Sequence, residues 1–457
     1  MIRKIFKFYL ILLLILIFTS LYGSLLKHHY SGGKKHPNLQ KFALTLAQIP
    51  NTAEDIINNI LKGKNLDPNK PGILIKHKDK IRFKQFIPNK RNALLVLPRY
   101  DHSLNRSVID LVDLNNFEII HTYSHDINAM HDQITNRDEF EKVFKDDVPI
   151  RFEYRHPLLL EDGSIVSDSD YSVEFKIGFC SNLIWINDDE KFHHSKMLDH
   201  NGDIWVAGQM YPQSRYVLEY KAYDFWDDSI IKIDLNGNIL FNKSVTELMI
   251  ENNLIRDGNI FENGEDFRFD PIHLNDIEPA LEDSKYWKKG DVFLSLRHQS
   301  SIIHYRPSDN KVINYIEGPF SQQHDVDIIS DKEISIFNNN AKEFIDGNAV
   351  DGNSEVLIYD FRKNEYSSYL SESLIKNDIQ TPNQGRSEIL PNGDLFIEET
   401  YYSRTLYFNA DGSIRWTHIN RSDDGKVYPI GWSRILYTKE EIQSVKNLIE
   451  NKGTCNE

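Results

Sequence analysis

The chain of 457 residues is short of cysteine and of positive charge. Its only two cysteines, Cys180 and Cys455, exclude a disulfide framework and argue against a cysteine-ligated zinc site. Lysine and arginine total 53 against 68 aspartate and glutamate residues, and the net charge of −15 argues against nucleic acid as a partner. Because 40% of the residues are hydrophobic and 26% are charged, the composition still predicts a folded chain with an ample core.

A long hydrophobic run is present at the N-terminus, where basic residues precede an apolar stretch from Phe8 to Leu26. Its length is close to the roughly 20 residues that a helix needs to span a bilayer. The lack of an A-x-A-like cleavage site favours an uncleaved anchor, residues 1–26, over a cleaved signal peptide. We therefore expect a single-pass, membrane-anchored protein whose main domain lies on the extracytoplasmic side, in the periplasm or at the cell surface.

A repeat of short strands occupies residues 89–420. Runs rich in Val, Ile, Tyr and Phe alternate with NGD, NGN and DGS turns, and they fall into six clusters that begin about 37 to 80 residues apart. Units of four strands repeated six times predict an all-β fold, a six-bladed β-propeller, in which the first strand of each blade lines a central channel. The length alone would suggest three domains, whereas the repeat predicts one large domain.

Short helical extensions are predicted on both sides of the propeller. Residues 27–88 read as a linker and helical lead-in, with a helix around Leu39–Leu61. Residues 421–457 form a tail in which Thr438 and Glu441 have the spacing of a capping box, so a helix is predicted after them.

Histidine is abundant, and several of the 17 histidines fall at one place in the repeat. The first strands of four successive clusters open with histidine and the next opens with arginine: His156, His193 and His194, His273, His324, and Arg386. The turn that follows lies seven residues after His156 and His324 and eight after His194. Because first strands surround the channel, we expect a ring of imidazole and guanidinium groups at one end of it.

Three passages resemble the arylsulfotransferase (arylsulfate sulfotransferase) family: FHHSKMLDHNGDIWV, DPIHLNDIEPA…GDVFLSLRHQSSIIHY and QQHDVDIISDKEISIFNNN. The likeness extends from about Phe192 to Asn420. It implies a six-bladed β-propeller, in agreement with the repeat, and the transfer of a sulfuryl group from an aryl sulfate donor to a phenolic acceptor. The family uses no nucleotide sulfate donor, so the resemblance implies no cofactor and no metal.

The same resemblance assigns roles to individual residues. The histidine of the Q-H-D motif, His324, is implied as the nucleophile, and an imidazole nucleophile predicts ping-pong kinetics through a sulfohistidine. Arg297, from the S-x-R-H motif, would hold the sulfuryl oxygens, while His273 and His194 would donate to these oxygens or protonate the leaving phenolate. The predicted substrate-binding set is completed by Asn275, Arg386 and His193.

Two other classes of function remain alternatives. Four histidines on the inner strands of a propeller could bind iron, as in carotenoid-oxygenase-like enzymes, although Arg297 disfavours a cation at that position. A non-catalytic propeller, tethered to the membrane as a receptor for sulfated or phenolic ligands, would have the same residues without the chemistry.

Overall fold

The computed structural model describes residues 2–30, 39, 74, 76–89, 91–135, 150–219, 225–255, 270–344, 347–452 and 455. The chain forms two compact units. The first unit contains Met1–Asp67, Glu262–Arg268 and Glu343–Gly347, and the second contains Pro68–Phe261, Phe269–Lys342 and Asn348–Glu457.

The first unit contains helix α1 (Ile2–Tyr30), which includes the N-terminal apolar run. Counting the described residues alone, no helix of the structure is long and apolar enough to cross a membrane. The membrane anchor stays a prediction. The helix predicted around Leu39–Leu61 lies outside the described residues, apart from Leu39 itself, which is helical.

The second unit consists mainly of antiparallel sheets, which confirms the prediction of an all-β, propeller-like fold. One four-stranded sheet has the order β26-β2-β3-β4, with strands β2 (Leu94–Asp101), β3 (Arg106–Asp113), β4 (Glu118–Tyr123) and β26 (Arg434–Leu436). A seven-stranded sheet runs from β11 to β5, with β5 (Arg155–Leu159), β6 (Ile165–Asp168), β7 (Ser172–Ile177), β8 (Leu183–Leu198), β9 (Ile204–Gln209), β10 (Asp228–Ile233) and β11 (Ile239–Ser244).

The remaining sheets follow in chain order. Another four-stranded sheet contains β12 (Leu274–Pro279), β13 (Val292–Leu296), β14 (Ser301–Arg306) and β15 (Lys311–Glu317). The next has the order β16-β17-β20-β21, with β16 (His324–Ile328), β17 (Glu333–Asn338), β20 (Glu355–Asp360) and β21 (Glu365–Ser368), and β18 (Ala341–Phe344) pairs with β19 (Gly347–Val350) in a separate two-stranded sheet. The five-stranded sheet has the order β1-β25-β24-β23-β22, with β1 (Phe83–Gln85), β22 (Arg386–Ile389), β23 (Leu395–Glu399), β24 (Arg404–Phe408) and β25 (Ile414–Ile419).

Short helices connect or follow these strands. The described ones are α2 (Ile127–His131), α3 (Arg215–Glu219), α4 (Val245–Glu251), α5 (Ser371–Lys376) and α6 (Lys439–Lys452), with 3₁₀ turns at Pro307–Asp309 and Thr400–Tyr402. The predicted capping box of α6 is confirmed, since Oγ1 of Thr438 accepts the Glu441 N–H at 3.2 Å and the Glu441 carboxylate accepts the Thr438 N–H at 3.0 Å.

Buried apolar clusters fill the spaces between neighbouring sheets. One of them joins β9, β10 and α4 to β12, β13 and β14 through side chains such as Trp205, Leu248 and Leu294. Within the seven-stranded sheet, Leu158 of β5 and Ile231 of β10 share a cluster, so the two halves of this sheet pack on each other. Each fully buried Leu or Ile contributes about 1.5–3 kcal/mol, and these clusters hold the sheets around a common centre.

The first strands of the sheets lie side by side at this centre. Strand β12 packs against β8 and β16, β5 packs against β8, and β16 packs against β22. Carboxylates on β10, β12 and β16 each accept a backbone N–H of the first strand of the following sheet at 2.7 Å. The three pairs are Leu274 with Asp228, Val326 with Asp276, and Ser387 with Asp325.

Two short strands lie outside the predicted range of residues 89–420. Strands β1 and β26 pair with β25 and β2, yet β1 lies before residue 89 and β26 lies after residue 420. These two strands are only three residues long, so their sequences carry too little alternation to be recognised. Sequence also gave no sign that the two cysteines pair, whereas Cys180 and Cys455 form a disulfide between positions 275 residues apart.

Candidate functional site

Three of the predicted histidines meet at the centre of the sheets. His194 lies in β8, His273 immediately precedes β12, and His324 begins β16. One ring nitrogen from each lies within 4.8 Å of the other two. The His194 ring centroid is 5.1 Å from that of His273 and 6.3 Å from that of His324. We call these three residues the histidine cluster.

The backbone is irregular at or beside each of these three histidines. His194 and His273 have positive φ angles of 61° and 55°, and Asp325, directly after His324, has 55°. At the same places the ladders β8–β9, β12–β13 and β16–β17 shift register. Bulges and left-handed residues re-aim side chains and are concentrated at functional sites, where the rest of the fold holds them in place.

His324 is supported by an amide. Its Nδ1 lies 2.7 Å from Oδ1 of Asn339, whose Nδ2 donates to the backbone carbonyls of Thr381 (2.8 Å) and Gln384 (2.7 Å). Because both amide protons are used, Oδ1 must face the imidazole, and Nδ1 of His324 must carry the proton that it donates. The Nε2 atom therefore has the lone pair. Burial first, and then the positive charge of Arg297, hold the pKa of His324 well below its usual value.

His273 is supported by a carboxylate. Its Nδ1 donates to Oδ2 of Asp270 at 2.5 Å. Burial would raise the pKa of Asp270, but the nearby His273, which is also its hydrogen-bond partner, outweighs it, so the net shift is downwards. With a side chain that is 16% exposed, His273 is more accessible than His194 (8%), and His324 is almost fully buried.

His194 is supported by its neighbour His193. The two Nδ1 atoms lie 2.7 Å apart, and Oδ1 of Asp170 lies 3.7 Å from Nδ1 of His194. His193 is fully buried and stacks on Tyr171, with ring centroids 4.5 Å apart, and burial lowers its pKa to about 4. The structure therefore brings His194 into the cluster, whereas His193 lies behind it.

Arg297 is fixed beside the cluster by a set of acceptors. Its guanidinium donates to Oε1 of Gln322 at 2.8 Å, to Oδ1 of Asn383, and to Nε2 of His298. Nδ1 of His298 in turn donates to the backbone carbonyl of Asp270 at 2.5 Å, and its ring lies 4.5 Å from that of His273. Burial is the main cause that lowers the pKa of His298 to about 3, so this imidazole is a neutral link between Arg297 and His273.

Two predicted substrate-binding residues lie outside the cluster. Asn275 is fully buried and its Nδ2 donates to the carbonyl of Gln323 at 2.8 Å, so it positions the strand just before His324. Arg386 donates to Nε2 of His156 (3.0 Å) and to the Ser433 carbonyl (2.9 Å), and it lies 3.5 Å from Asp325. The contacts of Arg386 are therefore those of a buried structural residue.

Aromatic residues that the sequence reading missed border the cluster. Trp432 lies 5.7 Å from His194 and 6.1 Å from His324, measured between ring centroids. Tyr171, beside His193, lies 4.9 Å from Trp226, a residue that is 36% exposed. Trp432 falls in the segment that was interpreted as a tail, so no register pointed to it. The sequence did contain signals for the two groups that support the cluster. Asp270 lies three residues before His273, and Asn339 lies in a run of asparagines.

A cavity of about 360 Å³ lies elsewhere, between β1, β2, β3 and β25, and its lining includes no member of the cluster. Two of its arginines are paired with carboxylates: Arg99 with Asp101 and Asp110, and Arg82 with Asp423. The converging ring nitrogens of the histidine cluster indicate a functional site more strongly than the volume of this cavity does.

The chain has several similar solved structures and matches one family model. A protein of unknown function from Bacteroides caccae is similar in structure (TM-score 0.46, 11% identity, 76% of this chain and 100% of that one). So is virginiamycin B lyase from Staphylococcus aureus (TM-score 0.38, 9% identity, 73% and 87%). No curated protein matches the sequence. The family model described as arylsulfotransferase (ASST) matches residues 156–421, which is more than half of the chain. The matched range contains the histidine cluster and Arg297. The chain belongs to the arylsulfotransferase family.

Proposed function

We propose that this protein is an aryl sulfate:phenol sulfotransferase that uses no nucleotide donor and works by a ping-pong mechanism through a sulfohistidine on His324. Membership of the family supports an arylsulfotransferase-type activity in general. The observation that carries the specific proposal is the bond from His324 to Asn339, since it leaves the Nε2 lone pair of a neutral imidazole beside Arg297.

The first half-reaction forms the covalent intermediate. Nε2 of His324 attacks the sulfur of the aryl sulfate, a nitrogen–sulfur bond forms, and the bond from sulfur to the phenolic oxygen breaks. The departing phenolate takes a proton from protonated His273, which Asp270 stabilises through Nδ1. A phenol has a pKa of about 10, so this proton transfer is a modest part of the barrier.

The second half-reaction reverses these steps with a new phenol. The acceptor hydroxyl gives its proton to His273, its oxygen attacks sulfur, and the nitrogen–sulfur bond breaks to regenerate His324. Tyr171, Trp226 and Trp432 are aromatic faces against which a phenol ring can stack, each such contact contributing about 0.5–1.5 kcal/mol beyond its buried area.

Arg297 and His194 stabilise the charge that spreads over the sulfuryl oxygens in both half-reactions. Sulfuryl transfer resembles phosphoryl transfer, in which positioning and electrostatic stabilisation supply most of the catalysis. The planar fork of a guanidinium suits two of these oxygens, and Gln322 and Asn383 hold it in one orientation. A local positive group of this kind overrides the net charge of −15 because buried charges are poorly screened.

The proposal extends to architecture and compartment. Strand β8 pairs with β7 through its first half and with β9 through its second half, so we propose that the seven-stranded sheet represents two blades and that the propeller has six. We also propose an extracytoplasmic location, supported by the bond between Cys180 and Cys455, because disulfides persist in oxidising compartments and are rare in the cytosol. Attachment through α1 stays a prediction.

Initial-rate kinetics test the proposed function. With an aryl sulfate donor and a phenolic acceptor both varied, we expect parallel double-reciprocal lines and, without acceptor, a burst of one phenol per protein chain. Intersecting lines would contradict a covalent intermediate. Binding of the aryl sulfate without any release of phenol would instead indicate the non-catalytic propeller.

A further inference from the structure

We propose that His194, His273 and His324 also form a binding site for one divalent transition-metal ion of the zinc type, held by the three Nε2 atoms. Zinc prefers imidazole nitrogen at about 2.0–2.1 Å, and a three-histidine set with an open fourth position is one of its established arrangements. One ring nitrogen from each residue already lies within 4.8 Å of the other two, so only small side-chain movements would bring all three to a common ion.

The hydrogen bonds behind the cluster are the main reason for this inference. All three Nδ1 atoms are engaged: by Asn339 for His324, by Asp270 for His273, and by His193 for His194. Within the described part of the chain, no hydrogen-bond partner occupies Nε2 of any of the three. Metal-binding histidines are usually built in this way, with the second ring nitrogen held by an outer group that fixes the orientation of the ring.

The neighbouring group of Asp270, His273 and His298 is a weaker candidate, although its donor atoms also lie within 4.8 Å of one another. Both nitrogens of His298 are engaged, Nδ1 by the Asp270 carbonyl and Nε2 by the guanidinium of Arg297. A metal ion would have to break one of these bonds. The ion is therefore assigned to His194, His273 and His324.

Nearby charges decide how tightly the ion binds. The carboxylates of Asp270 and Asp170 lie behind His273 and His194 and favour a cation. The guanidinium of Arg297 opposes it. The ion and the sulfuryl group would use the same lone pair of His324, so metal should inhibit turnover competitively with the aryl sulfate. This last consequence rests on the proposed function, whereas metal binding itself does not.

Isothermal titration calorimetry of the chelator-treated full chain with zinc chloride tests the binding. We expect one ion per chain, at least tenfold weaker binding in each of His194→Ala, His273→Ala and His324→Ala, and binding about tenfold weaker in Asp270→Asn. His200→Ala removes an exposed histidine outside the cluster and should leave the affinity unchanged. Thermal unfolding of each variant shows whether it is folded.

Arg297→Gln provides the complementary test, because it should bind zinc more tightly than the unmodified chain, and a gain cannot result from misfolding. Absence of stoichiometric binding, or an affinity in the three alanine variants equal to that of the unmodified chain, would overturn the metal site. If zinc binds as expected but the protein never releases phenol from an aryl sulfate, the proposed function fails while the metal site stands.

Discussion

The two sides of the histidine cluster are built differently. On one side, His324 at the start of β16 contacts the neutral amide of Asn339. On the other side, His273, which directly precedes β12, contacts the carboxylate of Asp270. An amide oxygen fixes the tautomer without favouring an extra proton, whereas a carboxylate stabilises the imidazolium. The difference supports the division of roles that we propose, with His324 as nucleophile and His273 as the group that moves protons.

Replacing each histidine by alanine should separate these roles most clearly. We expect His324→Ala to lower the rate of phenol release by about 10⁴-fold or more, for every aryl sulfate, because no group remains to form the covalent intermediate. His273→Ala should lower it by about 10²–10⁴-fold, with a larger loss for phenyl sulfate than for 4-nitrophenyl sulfate, whose leaving group needs less protonation. Steady-state rates with both donors measure this contrast. A similar dependence on the leaving group in both variants would break the comparison.

Arg297 and Arg386, which are both buried, should also behave differently. Arg297→Lys loses the planar fork held by Gln322 and Asn383, so we expect turnover to fall by about 10²–10³-fold while the protein stays folded. Arg386→Lys disturbs contacts with His156 and Asp325 instead, so the expected loss is in thermal stability. Kinetics and thermal unfolding on the same samples measure both. An Arg386 variant of normal stability with impaired turnover would return Arg386 to the site.

Exchanging the supporting groups sharpens the comparison further. Asn339→Asp gives His324 a carboxylate partner, which favours a proton on the nucleophile, so we expect about a 100-fold loss at neutral pH that diminishes as the pH rises. Asp270→Asn should cost about tenfold, and the loss should be larger for phenyl sulfate, as in His273→Ala. The pH profile of turnover is the measurement. Equal effects of the two changes with the same donor dependence would show that the two sides are equivalent.

A buried histidine remote from both sides gives the smallest expected effect. Burial lowers the pKa of His418 from 6.5 to about 3. Below pH 6.5 the histidine takes up a proton in the unfolded chain but not in the folded one, so acid favours unfolding. The free energy of unfolding is therefore highest above pH 6.5 and decreases as the pH falls towards 3. When the pH falls from 7 to 5.5, the free energy of unfolding of His418→Phe should therefore decrease by about 1 kcal/mol less than that of the unmodified chain. The new ring would pack next to Phe83. Urea unfolding of both proteins at the two pH values measures this difference. An identical decrease in the two proteins would contradict the lowered pKa of His418.

The sequence predicted the propeller-like fold and the convergence of His194, His273 and His324, because turns and period-two strands repeat and the histidines occupy one register. It missed Trp432, because β26 is too short to be recognised as the strand that completes the first sheet. It placed Arg386 in the site from register alone, whereas the structure pairs that side chain with buried groups. The contacts of Asn339 and Asp270 depend on tertiary packing, which no local pattern records.

Peptide mapping after rapid quenching shows whether a covalent intermediate forms on His324. The full chain is mixed with excess 4-nitrophenyl sulfate without acceptor, quenched under conditions that preserve sulfohistidine, digested and analysed by mass spectrometry. The account predicts one sulfuryl group per chain, carried by the peptide that contains His324 and absent from His324→Ala. A sulfuryl group on His273 or His194, or phenol release with no covalent adduct, would contradict it.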